Sequence, residues 1–394
     1  CINGHCQDPC SRAAQQRSYQ GCEYWPTVTS DASLVTDFSF AVVVANPQAQ
    51  AVEVVVASKS NAQIKKVTVQ PGAVETIELP WVQGLKAPAS SSGDYQSSMV
   101  AGGAYRLTST LPVTVYQFNP LNYKKSGDCT GGYDPDPFDG KCHSYSNDAS
   151  LLLPEHVQTK DYMVVSRPTM MLRKSGNWSG SPGFVTIVAS KPGDTRIKVD
   201  FTGASQAGPG MKAYAAGETA FFTIPQWGVL QILSTVPKSC TPSSSDADGE
   251  YCDLAGTADL TGTRITAEQE VAVFGGHNCS FVPYNKWACD HLEEQLYPLK
   301  TWGRRYIATH PVSSGKDPAA YRVISAEAGN KISFSNDVHA PTTLGEGKFI
   351  EFATTKDFEV TGTGRFLLVQ YMVGQSYSSA TGAGAPGDPA MALA

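Results

Sequence analysis

Cysteines are the residues of this sequence whose spacing most directly predicts chemistry. Six of the ten cysteines form three close couples, each flanking a polar loop between predicted strands. The spacing predicts disulfides across these loops, namely Cys129–Cys142, Cys240–Cys252 and Cys279–Cys289. The N-terminal Cys1, Cys6, Cys10 and Cys22 are expected to pair among themselves, in an order that the sequence leaves open. Such bonds persist in secreted or surface-exposed proteins, and closing a loop of about a dozen residues stabilises the fold by roughly 3 kcal/mol.

A metal site is the alternative for one couple. His277, Cys279, Cys289 and His291 form an H-x-C…C-x-H set that could hold zinc in a tetrahedral site. The other two couples lack a histidine on each side and yet have the same loop-closing placement. Because a disulfide explains all three couples, we favour it over zinc.

Two of the closed loops are acidic, and such loops can bind calcium. Asp134, Asp136 and Asp139 lie in the first loop, and Asp246, Asp248 and Glu250 lie in the second. Carboxylates spaced by two on a glycine-containing turn can converge on a hard cation, but neither loop has the terminal glutamate of the twelve-residue calcium pattern. Solvated loop tips are the alternative. We expect no cofactor other than calcium, for which the first loop is the better candidate.

Aromatic residues in the first closed loop are the candidate binding residues. Tyr133 and Phe138 are flanked by carboxylates and constrained by the predicted bridge, so they could contact a partner at little entropic cost. The first predicted unit also inserts Ser90 to Tyr95, and such variable loops are where a rigid sheet scaffold carries binding function. The alternative is that both rings pack on a neighbouring unit.

Catalytic constellations are scarce. The sequence has no G-x-S-x-G, no H-E-x-x-H and no glycine-rich phosphate loop. Glu293 and Glu294 could act as acid and base, but the equivalent segment carries Glu155 and His156 instead, which favours a repeated structural position. We therefore predict that the protein is not an enzyme.

Composition excludes two classes of partner. The net charge is −6, 17% of residues are charged, and no basic run is longer than two residues. The sequence therefore has no basic stretch that would attract nucleic acid. The longest apolar runs have the length of strands, so no segment of this sequence is expected to span a membrane. Hydrophobic residues make up 41% of the sequence, which is enough to form buried hydrophobic cores.

The elements that must position these residues are strands. Gly103 to Pro120, Ala258 to Gly276 and Lys356 to Gly374 repeat one pattern, which predicts a strand, a tight turn and a second strand. Upstream of each, an opening hairpin turns at Asn46-Pro47, Pro192-Gly193 or Gly329-Asn330, and a middle strand is predicted within VQPGAVETIELP, YAAGETAFFTIP or LGEGKFIEFAT. The best helical candidate, His291 to Leu296, predicts one or two turns.

We predict an all-β chain of three similar β-sandwich-like units in tandem behind a cysteine-rich N-terminal segment. Similar lead-in segments, Ser146 to Pro168 and Cys289 to Pro311, precede the second and third units. The predicted limits are 1–37 for the cysteine-rich entry and 38–145, 146–286 and 287–386 for the units. Residues 387–394 look like the start of a further lead-in, so we expect the sequence to be a fragment of a longer protein.

Seven strings across the chain resemble the IgGFc-binding protein N-terminal domain family. They begin at Gly21 (GCEYW), Phe40 (FAVVVAN), Tyr116 (YQFNP), Asn147 (NDASLLLP), Leu260 (LTGTRI), Ala272 (AVFGG) and Asp290 (DHLEEQL), and W-G-R-R-Y from Trp302 adds to them. The form is similar to bacterial, myxobacteria-like secreted or outer-surface proteins, in which a cysteine-rich segment precedes this region. The resemblance does not carry immunoglobulin binding to any residue of this chain.

The leading functional expectation is a non-catalytic extracellular binding or adhesion module of a larger surface or secreted protein, anchored at an outer membrane or released. Its partner would be a protein or glycan at a cell surface or in extracellular matrix, and self-association is a further expectation. The alternatives are a structural subunit of an extracellular filament or surface layer, and a glycan- or peptide-acting enzyme, which we disfavour.

Overall fold

The structure is a computed structural model that describes residues 7–32, 34, 38–86, 95–125, 140–144, 146–311, 317–377 and 387–394. Nearly all regular structure in this part of the chain is β, as predicted. The helices described are short: α1 Pro9–Gln15, α2 Gln83–Lys86, and 3-10 turns at Glu155–Val157, Leu299–Thr301 and Gln375–Tyr377. No helix among these residues is long and apolar enough to cross a membrane.

The first sheet is built from the valine-rich segments near the N-terminus. The strands in this region are β1 Gly21–Tyr24, β2 Phe40–Ala45, β3 Val52–Ser58, β4 Asn61–Val69, β5 Val74–Leu79, β6 Ser98–Val100, β7 Tyr105–Asn119, β8 Lys124–Lys125, β9 Cys142–His143 and β10 Asp148–Leu151. The order in the sheet is β4-β3-β7-β2-β5, and β1 and β10 also pair with β7.

The second sheet repeats this order. Its region contains β11 Thr159–Met163, β12 Met170–Lys174, β13 Asn177–Ser181, β14 Gly183–Ala189, β15 Asp194–Asp200, β16 Thr219–Pro225, β17 Val229–Leu233, β18 Ser244–Ser245, β19 Glu250–Tyr251, β20 Arg264–Phe281 and β21 Cys289–Gln295. The order is β16-β15-β20-β14-β17, with β6 added beside β17 and with β11 and β21 paired to β20. A small separate sheet has the order β13-β12-β19-β18.

The third sheet has the same order again. Its strands are β22 Gly303–Ala308, β23 Ala319–Ser325, β24 Asn330–Phe334, β25 Thr342–Leu344, β26 Phe349–Thr354, β27 Phe358–Tyr371 and β28 Met391–Leu393. The order is β25-β24-β27-β23-β26, with β22 and β28 paired to β27. We call the three sheets with their connections the first, second and third β units.

Each unit is a sheet folded over along one long strand. In the first unit, β3 pairs with the N-terminal part of β7 and β2 pairs with its C-terminal part. Apolar residues of both halves, among them Val42, Val54, Leu107 and Val115, belong to one buried core, which is the arrangement of a sandwich. A strand of the following lead-in, β10, completes the second half of this sheet, so the sheet crosses the predicted limit between 145 and 146.

The prediction of a strand, a tight turn and a strand in the three repeated stretches is wrong. Each stretch contains one long strand, β7, β20 or β27. The interruption that resembled a turn lies at residues 109–112, 267–270 and 362–365, where the pairing with β1, β11 or β22 skips. Polar and glycine residues therefore mark a bulge at which the strand passes from one half of the sheet to the other.

Two further expectations fail because of tertiary packing. Residues His291 to Leu296 form no helical turn, since β21 runs to Gln295 and pairs with β20. The middle strand of the second unit was also misaligned: β16, within YAAGETAFFTIP, pairs with β15, whereas β17 takes the position that β5 and β26 hold beside β2 and β23.

One tyrosine recurs at the same position in all three units and was missed in the sequence. Tyr24 donates its hydroxyl to the Val113 carbonyl at 2.6 Å, Tyr162 donates to Val271 at 2.8 Å, and Tyr306 donates to Phe366 at 2.9 Å. Each hydroxyl also accepts a hydrogen bond from the backbone N–H three residues earlier. This tyrosine bridges the bulge on the long strand and fixes the entry of each unit.

Replacing Tyr162 by phenylalanine is expected to lower the free energy of unfolding by about 1–3 kcal/mol, because the buried Val271 carbonyl and Thr159 N–H lose a partner. Urea unfolding measures the loss. Tyr116→Phe is the matched control, since Tyr116 is 41% exposed, and its effect should stay within about 0.5 kcal/mol. Equal effects of the two changes would contradict the bridging role.

Candidate functional site

The residues predicted to bind a partner or calcium lie outside the described residues. They are Tyr133, Phe138, Asp134, Asp136 and Asp139, all within 126–139. Cys129 also lies there, whereas Cys142 is described and is disulfide-bonded. The proposed roles of the five side chains, and the bond from Cys129 to Cys142, remain predictions.

The other predicted disulfides are present. Cys240 is joined to Cys252 and Cys279 to Cys289. In the N-terminal segment Cys10 is joined to Cys22, which ties α1 to β1. Disulfides of this number are typical of secreted or extracellular proteins.

The zinc alternative is excluded by the chemistry of its four residues. Both sulfurs are used in the Cys279–Cys289 disulfide. His277 Nδ1 accepts from the Cys279 N–H at 3.1 Å, so Nε2 carries the proton and donates to the Pro168 carbonyl at 3.0 Å. Burial, assisted by the nearby Arg167, lowers the pKa of His277 to about 3. This histidine is a neutral structural residue.

The second acidic loop uses its carboxylates internally. Asp246 accepts hydrogen bonds from the Asp248 N–H at 3.0 Å, from the Tyr251 hydroxyl at 2.9 Å and from Lys286 Nζ at 3.2 Å. Glu250 forms an ion pair with Arg173. The described geometry is therefore that of a folded turn.

Glu293 belongs to a buried polar network, in agreement with the structural interpretation of the paired glutamates. Its carboxylate accepts from the Thr29 hydroxyl at 2.6 Å and from Gln117 Nε2 at 3.1 Å. His291 Nε2 lies 3.7 Å from the same carboxylate and 3.0 Å from Asn119 Nδ2. Both side chains of the His291–Glu293 pair are 0% exposed, so they join the N-terminal segment to β21 and cannot reach a ligand.

Aspartates at the start of the lead-ins extend this network reciprocally. Asp148 accepts from the Glu293 N–H at 2.9 Å, and Asp290 accepts from the Asn147 N–H at 2.8 Å. Burial raises the pKa of Asp148 to about 7 and that of Asp290 well above its ordinary value, where Asp388 contributes as well. The paired lead-ins are thus joined side by side through buried carboxylates that accept backbone hydrogen bonds and whose pKa values are raised by burial.

Two open depressions are the candidate binding surfaces of the described residues. The loop pocket, of about 520 Å³, lies between Gln206–Pro209 and Tyr95–Gln96, where the inserted sequence from Ser90 to Tyr95 ends. The aromatic groove, of about 400 Å³, is lined by aromatic side chains and by basic ones, namely Tyr19, Tyr297, Trp302 and Tyr306 together with Arg17, His156 and Lys300. The groove is lined by residues of both lead-ins, which lie far apart in the sequence, so local sequence patterns did not predict it. Pro154 and Pro298 occupy the same place in the two lead-ins, and this repeat was the sequence signal that could have pointed to the groove.

Fold and disulfides together define an extracellular-type, all-β protein whose candidate catalytic groups in the described part are buried or engaged in structure. The chain belongs to the IgGFc binding protein family, because the family model described as "IgGFc binding protein" matches residues 148–394, which is more than half of the chain.

A curated human relative agrees with this assignment. The chain is 24% identical over 299 residues to the Homo sapiens "IgGFc-binding protein", covering 75% of this chain and 4% of that protein. The chain therefore spans only a small part of the length of this relative.

Similarity to solved structures is weak. Two mutant structures of the major pilin from Streptococcus pyogenes align over 94% and 95% of this chain and 97% and 98% of theirs, at 8% identity and TM-scores of 0.10 and 0.11. These scores carry no argument about fold or assembly.

Proposed function

We propose that this chain is a non-catalytic extracellular binding module that recognises a protein ligand, as part of a larger secreted or surface-anchored adhesive protein of a bacterial cell. Membership of the IgGFc binding protein family is the observation that carries the proposal. The three described disulfides support an extracellular location, and the loop pocket offers a contact surface on variable loops.

Immunoglobulin Fc is the first ligand to test, because the human relative bears that name. We expect saturable binding of purified human IgG Fc to the immobilised chain, measured by biolayer interferometry, with the Fab fragment as negative control. Ala207→Arg should weaken binding about tenfold or more, since Ala207 is exposed and lines the loop pocket.

Ala216→Arg is the matched control. Ala216 is also an exposed alanine on a loop, but it is outside the lining of the pocket. If the chain bound neither Fc nor any member of a panel of extracellular proteins and glycans, the binding function would be wrong. Equal loss of affinity in the two variants would instead place the contact away from the loop pocket.

A structural role in a filament or surface layer is the second candidate. It is favoured by the continuous packing of successive units: the core of the first unit includes Val188 and Phe274 of the second, and the core of the second includes Ile324 and Leu367 of the third. Such packing would propagate along an array of units.

A further inference from the structure

The third unit exposes a surface that the first two units bury. Trp25, Met163 and Ile307 occupy equivalent positions, because each directly follows the tyrosine that bridges the bulge in its unit. Trp25 is 2% exposed and Met163 is 1% exposed, whereas Ile307 is 67% exposed. A large aliphatic side chain is thus left in solvent at a position that packing covers twice elsewhere in the same molecule.

The covering element on the first unit is the proline turn of the next lead-in. Glu155 of this turn accepts from Trp25 Nε1 at 2.7 Å. Pro154 lies so close to Gly21 that a Cβ at Gly21 would be 2.3 Å from the proline Cβ. The second lead-in covers the second unit in the same way: Leu299 of its turn shares the core that contains Met163.

The equivalent place on the third unit is the aromatic groove. Gly303 stands where Gly21 stands, three residues before the bridging tyrosine, and it lines the groove. The three atoms nearest to a Cβ built at Gly303 all belong to Tyr306, so no proline turn is seated there among the described residues. On the second unit this position is Thr159, so a covering turn does not require glycine there.

Strand pairing and charge point to the same occupant. β28 pairs with β27 as β10 pairs with β7, so the strand that precedes the turn has its place already formed beside the groove. The described lining contains Arg17, Lys300 and His156 and no Asp or Glu side chain. An acidic proline turn of the Pro154-Glu155 type therefore matches the groove in shape and in charge.

We propose that Ile307 and the aromatic groove form a docking surface for the Pro-Glu 3-10 turn of the lead-in of another β unit of this family, the turn that follows a strand placed as β28 is placed. The turn would contact the third unit as the turns of the two lead-ins contact the first and second units.

A tethered turn tests this docking surface. The chain is extended after Ala394 by Leu-Pro-Glu-His-Val-Gln, the sequence of residues 153–158, because the Ala394 N–H donates to the Leu368 carbonyl as the Leu152 N–H donates to the Val115 carbonyl. Hydrogen–deuterium exchange is then measured for the amides of 303–308. We expect exchange to slow about tenfold or more relative to the unextended chain, because the turn covers Gly303 and Ile307. An extension with the same residues in scrambled order should give no protection.

Two variants of the extended chain separate docking from a change in the fold. Ile307→Asp should abolish the protection while the unextended variant keeps its melting temperature, since Ile307 is already exposed. Val74→Asp is the control at another exposed aliphatic residue, outside the lining of the groove, and should leave the protection intact.

The proposal is overturned if the folded, extended chain exchanges at 303–308 as fast as the unextended chain, or if the scrambled extension protects equally. It is also overturned if Ile307→Asp leaves the protection unchanged. Protection that arises in the unextended chain on raising its concentration would assign the surface to a second copy of the chain and would overturn the lead-in as its occupant.

Discussion

Replacing Arg322 by methionine is expected to lower the free energy of unfolding by about 3–5 kcal/mol, the cost of breaking a buried ion pair from one side. Arg322 is 2% exposed and its ion-pair partner Asp259 is 1% exposed. Nη1 donates to Asp259 Oδ2 at 2.9 Å, to the Ser166 carbonyl at 2.9 Å and to the Thr261 hydroxyl at 2.7 Å, while Nε donates to Glu351 at 2.9 Å. Methionine fills similar volume but leaves Asp259 charged and unpaired.

Glu351 carries the same network to a second arginine. Arg167 binds it through two hydrogen bonds of 2.9 and 3.1 Å. Burial acts to raise the pKa of Glu351, but Arg167 and Arg322 outweigh it and lower that pKa to about 2. Because Arg167 lies in the lead-in that precedes the second unit and Glu351 lies on β26 of the third, the loss should uncouple the second unit from the third, and urea unfolding should become broader or biphasic.

Arg305→Met is the matched control. Arg305 also binds a glutamate, Glu359, through two hydrogen bonds, but the two side chains are 66% and 38% exposed. Solvent screens such a pair, so we expect a loss of about 0–1 kcal/mol. A loss of similar size for Arg322→Met would show that the buried network is not what holds the two units together.

Changing Asp148 to asparagine is expected to alter how stability depends on pH. Burial raises the pKa of Asp148 from 3.8 to about 7. Between these values the unfolded chain releases the proton that the folded chain keeps, so the contribution of Asp148 to the free energy of unfolding falls as pH rises, by at most about 1.4 kcal/mol per pH unit. Asp148 retains some solvent contact, which limits how far burial raises its pKa and therefore narrows the pH range over which stability falls.

Neighbouring groups add slopes of both signs, so the difference between the wild type and Asp148→Asn must be followed. Burial raises the pKa of Glu294, and its contribution also falls with rising pH. Burial acts to lower the pKa of His291, but Glu293 and Asp31 raise it, so its contribution is lost as pH rises through that raised pKa. His277, with a pKa of about 3, contributes stability that is lost as pH falls below 6.5.

The measurement is urea unfolding of both proteins at intervals from pH 4 to pH 8. The stability advantage of the wild type should shrink steadily up to about pH 7 and then level off. Asp194→Asn, at an exposed aspartate beginning β15, is the control for the same substitution at the surface. A constant difference for Asp148→Asn would contradict proton retention by Asp148.

Local patterns predicted the strands of this protein well and their pairing less well. Alternation in Thr195 to Val199 gave β15, and the close couple Cys279 and Cys289 gave a disulfide, because both signals depend on residues near in sequence. The lead-in residues Glu293 and His291 were correctly assigned to structure, but as a helical turn. Their β conformation follows from pairing with β20 and from contact with β10, whose residues lie far away in the chain.

Composition, spacing and recognisable strings were enough to predict the all-β class, the recurrence of similar segments, the described loop-closing disulfides and the family. Three features could be seen only in the folded protein: each repeated stretch is one bent strand, Arg322 and Asp259 meet in a buried ion pair, and Gly303 lines an open groove while Ile307 is left exposed. These features require segments from different units to come together. The free energy that selects them comes from long-range burial and hydrogen bonding, which a local pattern does not encode.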